Sequence, residues 1–396
     1  MTVNLQCCEV CGNKGLLNVL DLGNHPLCDD LIPIGSKLKC SEYPIDIVYC
    51  NVCYTAFQNY EVDKKLLFPR SYHYRARMTG SVLAGMKDFV ESTEQRLGSL
   101  HGKLILDVGC NDGSLLNFFE DKGCKTVGIE PTGAALDSRH KTMNVFFDSN
   151  SATQFLNDYG TPDIITFTNV FAHINNLPEL LANLKILIGE DTTLVIENHY
   201  LGAVLKTDQF DTFYHEHPRT YSHRSFEFIA NNLGLNLFDA QYVSRYGGNI
   251  RAFIGNKKPM PSSKNKESIF LDQFKEMNEN IKVWQMETNS FIENYVKNHG
   301  KLRAKAFPGR AAIMIKMLNL NEEHISAVYE IKGSIKVNHY VPGTRIPILP
   351  EEDLYAKENQ DKSILNLAWH LPKEVRDNLA KNNYTGDVID IKNFLG

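Results

Sequence analysis

The chain has 396 residues, and at about 150 residues per domain that length suits two to three domains with several buried cores. With 43% apolar and 22% charged residues the composition excludes a disordered chain, and no run approaches the roughly 18 to 20 apolar residues that a bilayer crossing needs. The formal net charge of −5 offers no general attraction to a polyanion, so no nucleic acid and no membrane is expected as a partner. Residues 1–6 carry neither the basic cluster nor the apolar segment of a secretory signal, which makes the cytoplasm the expected compartment.

Seven of the nine cysteines, Cys7, Cys8, Cys11, Cys28, Cys40, Cys50 and Cys53, crowd into the first stretch of chain. In a reducing compartment such crowding points to metal, because thiolates held by Zn²⁺ can close a fold too small to bury an adequate core. Cys8 with Cys11 and Cys50 with Cys53 form two knuckles, each placing two sulfurs one tight turn apart as a tetrahedral Cys₄ site requires. The 38 residues between the knuckles are too many for a bare loop, so Leu16–Val48 is expected to form a small sheet with Cys28 and Cys40 unliganded. Neither knuckle offers a His or carboxylate ligand, so the zinc is read as structural.

Farther on, Lys103–Val108 reads as a buried strand, Gly109–Gly113 as a glycine turn and Ser114 as a helix start. A second apolar strand, Thr126–Ile129, ends in Glu130, 23 residues after Asp107, the offset at which a doubly wound fold presents a carboxylate to a ribose diol. The turn lacks the GxGxxG spacing that seats a pyrophosphate, which disfavours NAD. The strand over Asp163–Val170 carries Asn169 to its C-terminal end, with His173 just beyond, and Thr193–Glu197 is a further strand.

Then comes Phe210–Ser222, in which Tyr214, His215, Glu216 and His217 are consecutive. Histidines around a glutamate, flanked by the aromatics Phe210, Phe213 and Tyr221 that exclude water, suit a general base. A metal site through His215 and His217 and a purely structural role are the alternatives; the interleaved Tyr214 and Glu216, and Pro218 stopping any HExxH helix, argue against metal. After a polar linker over Lys257–Lys266, Ser268–Lys297 has helical apolar spacing. Alternating elements over Ile325–Tyr329, Thr344–Ile348, Ser363–Trp369 and Lys373–Asn382 suggest a second α/β unit. The expected fold is therefore α/β, a doubly wound sheet with a small N-terminal zinc-binding domain and a C-terminal second α/β domain, divided at 1–70, 71–257 and 258–396.

The glycine turn with an acidic second strand resembles the nucleoside-binding region of class I S-adenosylmethionine-dependent methyltransferases, whose Rossmann-like domain this fold matches. That resemblance implies that Glu130 binds the ribose hydroxyls and that Asp107, Gly109, Asn111, Asp112 and Gly113 form the turn passing the methionine part. Asn169 joins this set, and Asp148 is a weaker candidate for the adenine amino group. The CxxCG and CxxC pair, Asn24–Leu27, DVGCNDG, NVFAHI, FDTFYHEH, Tyr246–Arg251 and Tyr340–Ile348 occur in an order that resembles the three-domain sugar C-methyltransferases. Those enzymes methylate a carbon of nucleotide-linked 4-keto-6-deoxy sugars, and the likeness spans nearly the whole chain.

It implies that His217 abstracts the proton alpha to the ketone, that Tyr214, Glu216 and His173 support it, and that Tyr72 and Tyr74 lie near cofactor and sugar. The implied cofactors are S-adenosylmethionine and structural Zn, the partner is a nucleotide-linked keto-sugar, and the chain is expected as a monomer or weak homo-oligomer. Two departures stand out: Tyr246-Gly247-Gly248-Asn249 replaces a histidine before Gly-Gly-Ser, and Phe307–Ala312 replaces a Gly-Ala-x-x-Lys-Gly turn in the domain expected to hold the nucleotide. There Arg310 and Lys336 are candidates to meet phosphates. Methylation of another acceptor, such as a sugar oxygen, and a zinc-stapled scaffold without turnover are the competing readings.

Overall fold

The computed structural model describes residues 5–70, 72, 74–261, 264–356 and 360–392, so part of the Lys257–Lys266 linker lies outside the described residues. Its contacts form two units, one of residues 1–17, 48–204 and 216–270 and one of residues 18–47, 205–215 and 271–396. Both cysteine knuckles fall in the first unit.

The first unit is built on a seven-stranded sheet. Its strands are β1 (Leu104–Val108), β2 (Lys125–Ile129), β3 (Lys141–Met143), β4 (Ile164–Thr168), β5 (Thr193–His199), β6 (Asn236–Val243) and β7 (Asn249–Gly255). They lie in the order β6-β7-β5-β4-β1-β2-β3. Strands β1 to β5 pair in parallel, whereas β7 runs antiparallel to both β5 and β6. Parallel strands buried on both faces read as continuous apolar runs, which is why Leu-Ile-Leu-Asp-Val and Ile-Ile-Thr-Phe were legible. Leu106, Val108, Ile165 and Phe167 pack one face against Phe155 and Leu184, and Ile105, Ile164 and Val195 pack the other against Phe89 and Phe119. Each such side chain contributes about 1.5 to 3 kcal/mol by leaving water. The chain crosses from one half of the sheet to the other between β1 and β4, so the crevice outside their C-terminal ends is the expected ligand end.

The second unit carries five parallel strands, β8 (Leu302–Lys305), β9 (Ile325–Glu330), β10 (Ile348–Pro350), β11 (Ile364–Asn366) and β12 (Val388–Asp390), in the order β10-β9-β8-β11-β12. The expected α/β class therefore holds for both units. The helix expected over Ser268–Lys297 runs over Phe270–His299, anchored by the fully buried Trp284, whose Nε1 donates to the Ile391 carbonyl at 2.9 Å. Thr344–Ile348 is mostly irregular, because Pro342, Gly343 at φ 78° and Pro347 delay the strand to Ile348.

One expectation is corrected here. Arg310 is not free to meet a phosphate: its guanidinium forks onto the fully buried Asp211 at 2.7 and 2.8 Å and donates to Thr212 Oγ1 at 2.6 Å. Lys336 Nζ likewise donates to the Phe307 carbonyl at 2.9 Å. The aromatics expected to keep water from the base are all buried. Phe210 lies on Trp284 and Phe213 on Phe274 in the second unit, and Tyr221 lies between Phe171 and Phe226 in the core of the first.

Candidate active site and metal centre

The sulfurs of Cys8, Cys11, Cys50 and Cys53 all lie within 4.8 Å of one another, with Cys8–Cys53 at 3.4 Å and Cys11–Cys50 at 3.5 Å. Tetrahedral Zn²⁺ with Zn–S bonds of about 2.3 Å sets its sulfurs roughly 3.8 Å apart, so the four thiols fit the ion. Each knuckle closes through its backbone: Gly12 N–H donates to the Cys8 carbonyl at 2.7 Å and Tyr54 N–H to that of Cys50 at 2.8 Å. Cys40 Sγ instead donates to the Asp30 carbonyl at 3.3 Å.

The first knuckle also holds something not foreseen from the sequence. Glu9 receives Arg219 Nε at 2.7 Å and the Leu177 N–H at 3.2 Å, while Arg219 Nη1 donates to the Ile174 carbonyl at 2.7 Å. Arg219 is fully buried and also faces Glu61 at 3.5 Å. One ion pair thus ties the metal knuckle to the segment just after His173 and to the segment just after His217.

At the C-terminal ends of β1 and β2 the turn is built around two glycines. Gly109 and Gly113 sit at φ 74° and 77°, and a Cβ there would come within 2.6 Å of Val170 and 2.5 Å of Ser138, so no other residue suits either position. Glu130 is buried and accepts from the backbone N–H of Asn111 at 3.0 Å and of Thr132 at 2.8 Å. Each carboxylate oxygen keeps a lone pair for a hydroxyl donor, so the group fits a ribose diol. Asn111 and Asp112 fasten the turn to residues 74–77: Asn111 Oδ1 accepts from Ala76 N–H at 3.0 Å, its Nδ2 donates to the Tyr74 carbonyl at 3.1 Å, and Asp112 Oδ2 accepts from Arg77 N–H at 3.0 Å.

Asp107 is buried within β1, accepts from Thr166 Oγ1 at 2.7 Å, and is pushed up to about 7 by that burial, aided by the Glu130 charge. Asn169, at φ 54° beyond β4, accepts from Asn249 Nδ2 at 3.0 Å. Asp148 caps the helix Ser149–Tyr159, its Oδ1 accepting from Ser151 N–H at 2.8 Å. Tyr72 sets its ring edge to Phe68 at 5.5 Å.

The histidines gather at the same end of the sheet. His217, buried, has its ring centre 4.9 Å from that of His173, in the short turn after β4, and 5.1 Å from that of His199, the last residue of β5. His173 stacks on Phe68 at 5.4 Å, and its buried Nε2 has no hydrogen-bond partner among the described residues. Burial pushes this imidazole down to about 4, so it is neutral near pH 7. Below His199 on β5, fully buried Glu197 is gripped by Arg251 Nε at 2.8 Å and Arg245 Nη1 at 3.0 Å, which fixes the strand end.

Glu216, also buried, belongs to the first unit, whereas Tyr214 and His215 belong to the second. His215 Nε2 donates to the Tyr43 carbonyl at 3.1 Å, and burial pushes its ring down to about 4. It packs as a structural residue, and among the described residues the groups that could hold a metal are the four cysteines, so the His-x-His metal alternative gains no support. His199 escaped the sequence reading, although its place at the end of the apolar run Thr-Leu-Val-Ile-Glu-Asn-His was a usable signal.

Three family models match the chain in succession: "Putative zinc binding domain" over residues 8–68, "Methyltransferase domain" over 83–240 and "C-methyltransferase C-terminal domain" over 246–389. The C-methyltransferase NovU of Streptomyces niveus is 25% identical over 390 residues, 94% of this chain and 91% of that one. Among solved structures, the magnesium protoporphyrin IX methyltransferase of Synechocystis with bound SAH is 16% identical, covering 44% of this chain and 84% of its own, with a TM-score of 0.33. An S-adenosylmethionine-dependent methyltransferase of Clostridium acetobutylicum is 13% identical, covering 44% and 92%, with a TM-score of 0.35. With zinc-binding, methyltransferase and C-methyltransferase segments following one another along nearly its whole length, the chain belongs to the three-domain C-methyltransferases, enzymes that depend on S-adenosylmethionine.

Proposed function

We propose that the enzyme methylates the carbon alpha to the ketone of a nucleotide-linked 4-keto-6-deoxy sugar. The observation that carries this reading is His217 set between two other imidazoles, at the end of the sheet where Glu130 and the glycine turn lie. A proton beside a ketone leaves near neutral pH only when a base and a donor to the developing enolate oxygen are held together. His217 is the base, Glu216 orients and polarises its surroundings, and Tyr214 or His173, the latter neutral and still able to donate one N–H, meets the oxyanion. The sulfonium methyl that the enolate carbon attacks is supplied by bound S-adenosylmethionine. Glu130 holds its ribose, Asp107, Gly109, Asn111, Asp112, Gly113 and Asn169 shape the pocket for the rest, Asp148 reaches the adenine amino group, and Tyr72 and Tyr74 flank the sugar. The C-terminal domain takes the nucleotide carrier.

The test is a panel of nucleotide-linked keto-sugars and their hydroxy counterparts, offered with a donor labelled by ¹³C in its methyl group. Product from a keto-sugar with its label in an alkyl carbon environment supports the reading. A methoxy product, or turnover confined to the hydroxy sugars, overturns it.

A further inference from the structure

After His217 has taken a proton from carbon it must lose it again before the next turnover. In a site dry enough to protect an enolate, water is poorly placed to collect that proton. Among the described residues, two rings lie close enough to His217 to do so instead. A hydrogen bond of about 2.9 Å between ring nitrogens sets imidazole centres about 5 Å apart when the rings meet edge to edge, and His173 and His199 lie at 4.9 and 5.1 Å. Neither ring is parallel to that of His217, the interplanar angles being 33° and 54°.

The two neighbours differ in what surrounds them. His173 is stacked on the ring of Phe68 at 5.4 Å. His199, half-buried like His173, lies at the strand end and meets the ring of Tyr246 edge-on at 6.0 Å. Tyr246 sits at φ 52° between Arg245 and two glycines, a conformation that a bulky side chain adopts only when its surroundings impose it. The imposition comes from Arg245, locked onto buried Glu197 at 3.0 Å. Tyr246 in turn interacts with the side chain of Tyr74, which is 40% exposed. Imidazole, phenol and phenol thus follow one another from the base to the surface.

We infer that His199 receives the substrate proton from His217 and delivers it toward solvent past Tyr246 and Tyr74. The step balances without any other reagent. The C–H electron pair stays on the substrate as enolate, the proton passes to a nitrogen of His217 and then to one of His199, and the enolate pair forms the new bond to the methyl carbon as the S–CH₃ bond breaks and its pair goes to sulfur, leaving a neutral thioether. The inference rests on the carbon-acid reading above, in which His217 takes the proton from carbon.

The variants His199→Phe, which keeps a ring, and His199→Gln, which keeps polarity, are followed through the first and later turnovers with a keto-sugar that the parent enzyme methylates. The first turnover should stay within about 3-fold of the parent, while later turnovers slow about 10- to 100-fold, less than removal of a general base itself. Solvent deuterium should enter the parent's substrate faster than the variants', because the trapped proton returns to the same carbon, and free imidazole in the buffer should restore the later turnovers. Unchanged later turnovers in both folded variants would overturn the relay. Equal loss of the first and later turnovers, without rescue by imidazole, would also overturn it and leave His199 a wall of the site. A parent that exchanges no keto-sugar proton would instead remove the carbon-acid reading, a result visible before any variant is made.

Discussion

Glu130 and His217 are both buried carboxylate or imidazole groups at one sheet end, yet their surroundings set them to different tasks. Glu130 is committed by two backbone donors to a fixed orientation, so its remaining lone pairs point where a diol can meet them. Glu130→Ala should therefore weaken S-adenosylmethionine binding about 5- to 150-fold, the equivalent of about 1 to 3 kcal/mol for charge-assisted contacts. Isothermal calorimetry checks this, and equal affinity in the variant would refute the assignment. Gly109→Ala forces a Cβ into Val170 at a left-handed backbone and should cost about 1 to 3 kcal/mol of stability as well as donor affinity, read from denaturant midpoints. At this scale the motif residues were legible because chemistry restricts them to few types. His199 and Arg310 were not, since one is an ordinary residue at a strand end and the other is claimed by Asp211, 99 positions away.

Among the elements, the zinc knuckle is more than a local staple. Through Glu9 and Arg219 it sets the ends of the segments bearing His173 and His217. Removing one partner of a buried pair leaves the other charge stranded, so Arg219→Ala should lower stability by about 3 to 5 kcal/mol. Zinc content should stay near one per chain, because no ligand is touched. Replacing Glu9 and Arg219 together with apolar residues should cost less than the single changes summed; thermal melts of the four proteins test this, and simple additivity would mean that the pair does not act as a unit. Apolar runs and the 30-residue helix were readable from periodicity. The cross-chain ion pair was not, because neither Glu9 nor Arg219 stands in a pattern.

For the whole molecule, the buried histidines give a signed pH dependence. Burial holds His173 and His215 at about 4 and His370 at about 3, against about 6.5 in an unfolded chain. Between those values the unfolded chain binds more protons, so stability should fall as pH drops from about 6.5 to about 4. Asp107, pushed up to about 7, and Glu61, raised by its burial, oppose the trend, but His25, His140 and His223, each lowered by burial, add to it. Denaturant midpoints at pH 7 and pH 4.5 measure the sum, and a midpoint that rises on acidification would contradict it. Two doubly wound sheets could be foreseen from the alternation of elements. How residues 18–47 and 205–215 join the C-terminal residues could not, since that grouping is made by contacts between segments far apart in sequence.

The most direct test of the account is deuterium wash-in. A nucleotide-linked 4-keto-6-deoxy sugar is held with the enzyme in D₂O without methyl donor, and the hydrogen beside the ketone is followed by NMR. The account predicts exchange with the parent and its loss by about 10² to 10⁴ in His217→Asn, which should still bind S-adenosylmethionine. Exchange at the parental rate in His217→Asn would place the base elsewhere and contradict the central claim.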